Sequence, residues 1–120
     1  MSELEKIYYR KRAVTFYKAG IYSTAFQILA VNWYQRRDPR SFLYLGWMLL
    51  CGQGCQKNYK MATRIFKRLI HDYQTSESVE ASKFLVFAYC NKNVEHLDTL
   101  LSGWCFENSP ILDINLEQSF

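Results

Sequence analysis

Helix starts recur along this chain at a nearly constant interval, and that spacing constrains the fold more than any other feature. Second helices of paired segments begin near Tyr22, Asn58 and Asn93, 36 and 35 residues apart. A period in this range marks helical hairpins that stack, because one hairpin cannot bury its apolar face alone. The helices are legible from their apolar spacing of three and four residues. Tyr9, Ala13, Phe16 and Tyr17 mark the first, and Tyr22, Ala25, Phe26, Ile28, Leu29 and Trp33 the second. Phe42, Leu45, Leu49 and Leu50 define a third; Tyr59, Ala62, Ile65, Phe66, Leu69 and Ile70 a fourth. Ala81, Phe84, Leu85 and Ala88 predict a fifth; Val94, Leu97, Leu100, Leu101 and Trp104 a sixth.

The punctuation agrees with the periodicity. Gly20 is placed to end the first helix in a left-handed turn. Asp38 followed by Pro39 is a cap and first-turn pair, and Asn58 is a second cap. Ser76 or Ser78 opens the fifth helix and Asn93 the sixth. With two prolines and five glycines, the chain has too few turn residues for an all-β domain. The prediction is an all-α fold: one helical repeat domain over residues 1–109, with three stacked antiparallel hairpins at about 5–36, 39–72 and 77–106. Residues 110–120 form an extended C-terminal tail. Its Ile111, Leu112, Ile114 and Leu116 are too apolar to float, and are expected to cap the last hairpin or bind a partner.

The stretch Leu45–Phe66 contains a Gly-x-Gly at Gly52 and Gly54. A phosphate-binding glycine loop needs a strand before it and a helix directly after it, and here a helix precedes it. The pair is therefore expected to turn the chain. In this stretch Leu45, Gly46, Gly52, Gly54 and Ala62 fall in the register of Sel-like repeats, a subclass of the tetratricopeptide solenoids. Leu49, Cys55, Asn58, Ile65, Phe66, Arg68, Leu69 and Ile70 stand for the remaining positions of that pattern, and Met61 departs from its usual lysine. The first hairpin resembles an ordinary tetratricopeptide unit through Tyr9, Ala13, Phe16, Gly20, Tyr22 and Ala25. The third keeps only the spacing. The resemblance implies a tetratricopeptide-like α-solenoid whose small residues, Gly46 and Ala62 above all, let paired backbones approach closely.

No catalytic or cofactor constellation emerges. Cys51, Cys55, Cys90 and Cys105 lack the close pairs of a zinc site, and are expected to pack as small apolar groups. His71 and His96 have no nucleophile motif beside them. The chain is thus expected to be no enzyme, with no cofactor and no metal. The N-terminus MSELEKIYYRKRAV has no apolar core, and no apolar run is long enough to span a bilayer, which predicts a cytoplasmic protein with reduced thiols. Charge is uneven: residues 1–72 hold 13 Lys/Arg against 4 Asp/Glu, and residues 73–120 hold 2 against 7. Arg10–Arg12 and Gln35–Arg40 lie near Tyr8, Tyr9, Trp33 and Tyr34, a pairing that can bind single-stranded nucleic acid. A net charge of +4 with an acidic second half is a weak footprint for it, so nucleic acid is disfavoured as a partner.

In the repeat register the first helix of each pair lines the concave face. That face is expected to present Arg10, Val14 and Tyr17, then Arg40, Leu43, Trp47 and Leu50, then Ser82, Val86 and Tyr89. An aromatic strip with a basic edge suits a partner's helix or extended peptide. The functional expectation is a protein-binding chaperone or adaptor. In size and architecture it resembles the three-hairpin chaperones of type III secretion subunits. The alternatives are an inhibitor or immunity protein acting through the same groove, and a nucleic-acid binder using the basic N-terminal half. Self-association through the tail is a further possibility for the assembly.

Overall fold

A computed structural model describes residues 3–91 and 109–112. Its elements are α1 (Glu3–Lys18), α2 (Tyr22–Arg36), α3 (Pro39–Cys51), α4 (Tyr59–Asp72), α5 (Ser76–Asn91) and a 3₁₀ turn, Pro110–Leu112. The described residues are all-α, with no strand among them. Each helix packs on the next in sequence, and α3 also packs on α5. The expected sixth helix, and with it the second half of the third hairpin, lies outside the described residues. No helix among those described is long and apolar enough to cross a membrane.

Local chemistry sets the helix ends. At the end of α1, Gly20 adopts φ +80. Its amide bonds Tyr17 O at 3.0 Å while the Ile21 amide bonds Phe16 O at 2.9 Å, the paired bonds that close a helix at a left-handed glycine. Asp38 caps α3 by accepting from the Ser41 amide at 3.2 Å, with Pro39 in the first turn. Asn58 caps α4 by accepting from the Met61 amide at 3.0 Å. At the start of α5 the Ser78 hydroxyl reaches back to Thr75 O at 2.8 Å.

The core is a single cluster in which α3 is central: nine of its thirteen residues are buried. Gly46 explains how α4 comes so close. A Cβ built there would lie 2.7 Å from the Phe66 ring and 3.0 Å from Ile65 Cγ2, so the α3–α4 seam tolerates only a hydrogen. Trp47 then meets Phe84 of α5, ring centroids 4.7 Å apart, and Phe84 meets Phe66 at 5.8 Å.

A buried polar knot joins α1, α2 and α3. Asn32, with no exposed surface, places Nδ2 2.8 Å from Ser41 Oγ, 3.0 Å from Lys6 O and 3.2 Å from Asp38 Oδ2, so its two hydrogens are shared among three acceptors. Asp38 Oδ2 also accepts from the Ser41 hydroxyl at 2.6 Å and faces Arg10 Nε at 3.7 Å. Burial raises the Asp38 carboxyl above its usual range, and Arg10 and Ser41 pull it part of the way back. Such a knot holds three helices in one relative orientation, since slipping any of them would strand a buried donor or acceptor.

Two expectations need correction. The first part of the tail is a 3₁₀ turn rather than extended, and it packs against α1 and α3; the expected cap on the last hairpin lies outside the described residues. Pro110 fixes a helical φ and the Ile111 amide turns back onto Ser109 Oγ at 3.3 Å, which favours the turn. Nor are all the cysteines packing thiols. Cys51 is disulfide-bonded, and Cys55 is the free cysteine among those described.

Candidate functional site: a groove between α1 and α3

The expected concave strip does not stand open. Of its nine residues with described side chains, Val86 alone is exposed. Leu43 and Trp47 have no exposed surface, Leu50 has 1%, and Val14 and Tyr17 are buried. Tyr89's side chain lies outside the described residues. Two neighbours cover the strip: α5 packs on α3, and the Ser109–Leu112 segment packs on α1 and α3.

The two arginines expected at its edge are turned to other work. Arg10 faces Asp38 inside the knot. Arg40 bridges α3 to α5 through Glu80, Nη1 to Oε1 at 2.7 Å, with its guanidinium 5.7 Å from the Tyr44 ring. Ser82 spends its hydroxyl on Ser78 O, one turn back at 2.9 Å.

The polar end of the groove centres on Tyr17. Its hydroxyl donates to Gln53 Oε1 at 2.8 Å and lies 3.3 Å from Ser109 Oγ. Because the single Tyr17 proton is committed to Gln53, Ser109 is the donor in the second contact. Burial pushes the Tyr17 hydroxyl above its usual pKa despite the lowering effect of Ser109 and Gln53, so it stays neutral. A relay of donors therefore runs from the Ile111 amide to Ser109, Tyr17 and Gln53. Ile111 itself has no exposed surface and joins the core cluster.

The glycine pair places this clamp. Gly52 and Gly54 both adopt φ +73, and Gln53 lies between them. Gly52 ends α3, and the Gln53 amide bonds back to Met48 O at 2.9 Å. A Cβ on Gly54 would collide with the Tyr22 carbonyl, so the turn seats directly on the start of α2. The Gly-x-Gly does turn the chain, and in turning it brings Gln53 to Tyr17. Gln53 carried no signal of its own in the sequence.

A second feature lies at the α2–α3 corner. Trp33 stacks on Phe42, ring centroids 3.8 Å apart and planes 10° from parallel. Arg37 lies 5.0 Å from the Trp33 ring and Arg68 of α4 lies 5.5 Å from it. Nearby, Arg36 covers the Tyr9 ring at 3.9 Å and faces Glu5 at 3.6 Å.

Among the described residues no group of three His, Cys, Asp or Glu side chains is placed to hold a metal. No family model, no curated protein and no solved structure matches the chain.

Proposed function

We propose that this chain is a non-catalytic protein-interaction module, a small chaperone or adaptor. It holds a short apolar segment of a partner between α1 and α3. The reading rests on one observation: the chain's own Ser109–Leu112 segment packs against both α1 and α3, as a bound peptide would. Ile111 is buried without remainder, and Ser109 is hydrogen-bonded to the Tyr17–Gln53 clamp. The segment supplies what a peptide ligand would supply, an aliphatic anchor and a hydroxyl a short step before it.

In this reading the segment is a placeholder. A tethered ligand competes at a high effective concentration, so a partner must bring either more contacts or a stronger anchor to displace it. That suits a chaperone, which should cover its apolar groove when empty rather than expose it.

The test is a displayed random-peptide library, panned on the chain carrying Ile111→Ala and again on that chain with Tyr17→Phe. Enriched sequences should share an aliphatic anchor with Ser or Thr within two residues before it. The hydroxyl preference should vanish with Tyr17→Phe while the anchor preference stays. Enrichment without an aliphatic anchor would overturn the proposal.

A further inference from the structure

The fold gathers onto one face the basic residues that the sequence spreads out. On α4, Lys60, Arg64 and Arg68 follow one another at four-residue intervals, all exposed. At the rise of an α-helix they stand about 6 Å apart along a single stripe. Among the described residues the acid ion-paired to the stripe is Asp72 at the helix end, 3.3 Å from Arg68, an exposed pair of the kind that holds weakly. Arg68 also reaches the Trp33 ring, and on the same ring lies Arg37, so the stripe continues onto the α2–α3 corner.

Arg37 is held there against backbone preference. It adopts φ 54 and ψ 44 at the end of α2, the left-handed conformation that glycine supplies at the ends of α1 and α3. Its side chain is thus kept where a glycine would fit more easily. Trp33 is also one wall of an open apolar groove of about 400 Å³, lined by Ala30, Val31, Trp33, Tyr34, Gln35 and Leu45. Tyr34 is 77% exposed. Cations and an accessible aromatic ring therefore meet around one tryptophan.

We infer that this face binds single-stranded nucleic acid. The stripe would track the phosphates, and Tyr34 would offer a stacking platform at the groove's rim. A polyanion with one charge per residue complements a row of cations that has no carboxylate between its members. A protein partner would need a matching run of acids. The aromatic ring favours unpaired bases over a duplex, whose bases stack on each other. The overall charge of +4 understates this surface, because the excess of acids in residues 73–120 lowers a sum to which residues 1–72 contribute 13 Lys/Arg against 4 Asp/Glu.

The test is fluorescence anisotropy of a labelled twelve-residue oligo(dT) and oligo(U) with the full chain, across salt. With about four cations engaged, affinity should fall roughly 50-fold between 50 and 200 mM salt. Replacing Lys60 and Arg64 by Gln should weaken binding and flatten the salt dependence. Tyr34→Ala should lose at least about 5-fold with the salt slope unchanged. These positions are exposed, and thermal melts of the variants should match the parent. Three results would overturn the inference: no binding at 50 mM salt, variants that bind like the parent, or a polyglutamate peptide of equal length binding as tightly. The last would assign the face to acidic proteins.

Discussion

Replacing Ile111 by Ala tests the placeholder reading most directly. Ile111 has no exposed surface, and the change removes three carbon groups from the groove. At about 0.8 kcal/mol for each buried group, the segment loses ~2.4 kcal/mol of docking free energy. No cavity term is added if the segment can leave, because the groove then opens instead of retaining a void. A change of that size shifts the docked-to-released ratio by about 50-fold. Apparent affinity for a ligand in trans scales with the fraction of chains whose groove is free. The hexapeptide Asn-Ser-Pro-Ile-Leu-Asp, identical to residues 108–113, should therefore bind the variant up to about 50-fold more tightly than the parent. Ser109→Ala removes the segment's hydrogen bond to Tyr17, worth ~0.5–1.5 kcal/mol, along with the local bond from the Ile111 amide, and should give at least roughly a 2- to 10-fold gain. Fluorescence anisotropy of the labelled peptide reads the affinity, and urea melts followed by circular dichroism read the helices. The helical domain should keep most of its stability, since the segment leaves without unfolding its neighbours. If Ile111→Ala instead takes ~2.4 kcal/mol or more from the global transition with no gain in peptide affinity, the segment is ordinary core and the placeholder idea fails.

Three other perturbations have signs that can be worked out. Gly46→Ala places a methyl 2.7 Å from the buried Phe66 ring; overpacking of about 1–3 kcal/mol should exceed the ~1 kcal/mol gained in helix propensity, so urea melts should show a net loss. A gain of about 1 kcal/mol would mean that the α3–α4 seam has room. Arg37→Gly relieves about 1–2 kcal/mol of left-handed backbone strain and forfeits roughly 0.5–1 kcal/mol of contact with Trp33, so stability should hold or rise while oligonucleotide affinity falls. For Asp38, burial lifts the folded pKa above 3.8, so the folded state holds the proton more tightly than the unfolded chain does. Its contribution to stability is then fullest below 3.8 and is lost as pH rises through the raised folded value. Asp38→Asn keeps a capping oxygen and removes the titration. The stability of the parent minus that of the variant should fall with rising pH across this window, and a rising difference in paired melts would reverse the assignment.

What the sequence made legible was local. Asp38, Asn58, Gly20 and Gly52 act within five residues of where they stand, and the structure puts each at the helix end it marks. Gly46 was legible because a glycine inside an apolar helical stripe has few uses besides a close approach. The groove's contents were not, because Tyr17 and Ser109 are 92 residues apart and nothing in an alternating apolar tail names its destination. The same holds for Arg10 and Arg40, assigned to a groove edge by register. Their partners Asp38 and Glu80 come from other elements, and a buried arginine is directed by the nearest acid rather than by its place on the helical wheel. Asn32 gave no signal in the sequence: its reach to Lys6 O spans 26 residues and two helices, which periodicity does not name.

The two proposed surfaces depend on one piece of construction. The Asn32–Asp38–Ser41 knot sets how α1 and α2 meet α3, and the turn at Gly52 and Gly54 rests on the start of α2. The position of Gln53, and hence the clamp on Tyr17, thus follows from how α2 is seated. So does the α2–α3 corner, where Asp38 caps α3 one residue after Arg37 takes its left-handed turn. A ligand that opened the α1–α3 groove would pull on the Tyr17–Gln53 bond, and through that turn on α2. Rigid seating of α2 predicts that the two sites are energetically linked. Peptide bound to the Ile111→Ala chain should change oligonucleotide affinity, and the oligonucleotide should change peptide affinity by the same factor. Equal factors in both directions would establish the linkage. A factor of one in both would mean that the turn absorbs the strain and the surfaces act independently.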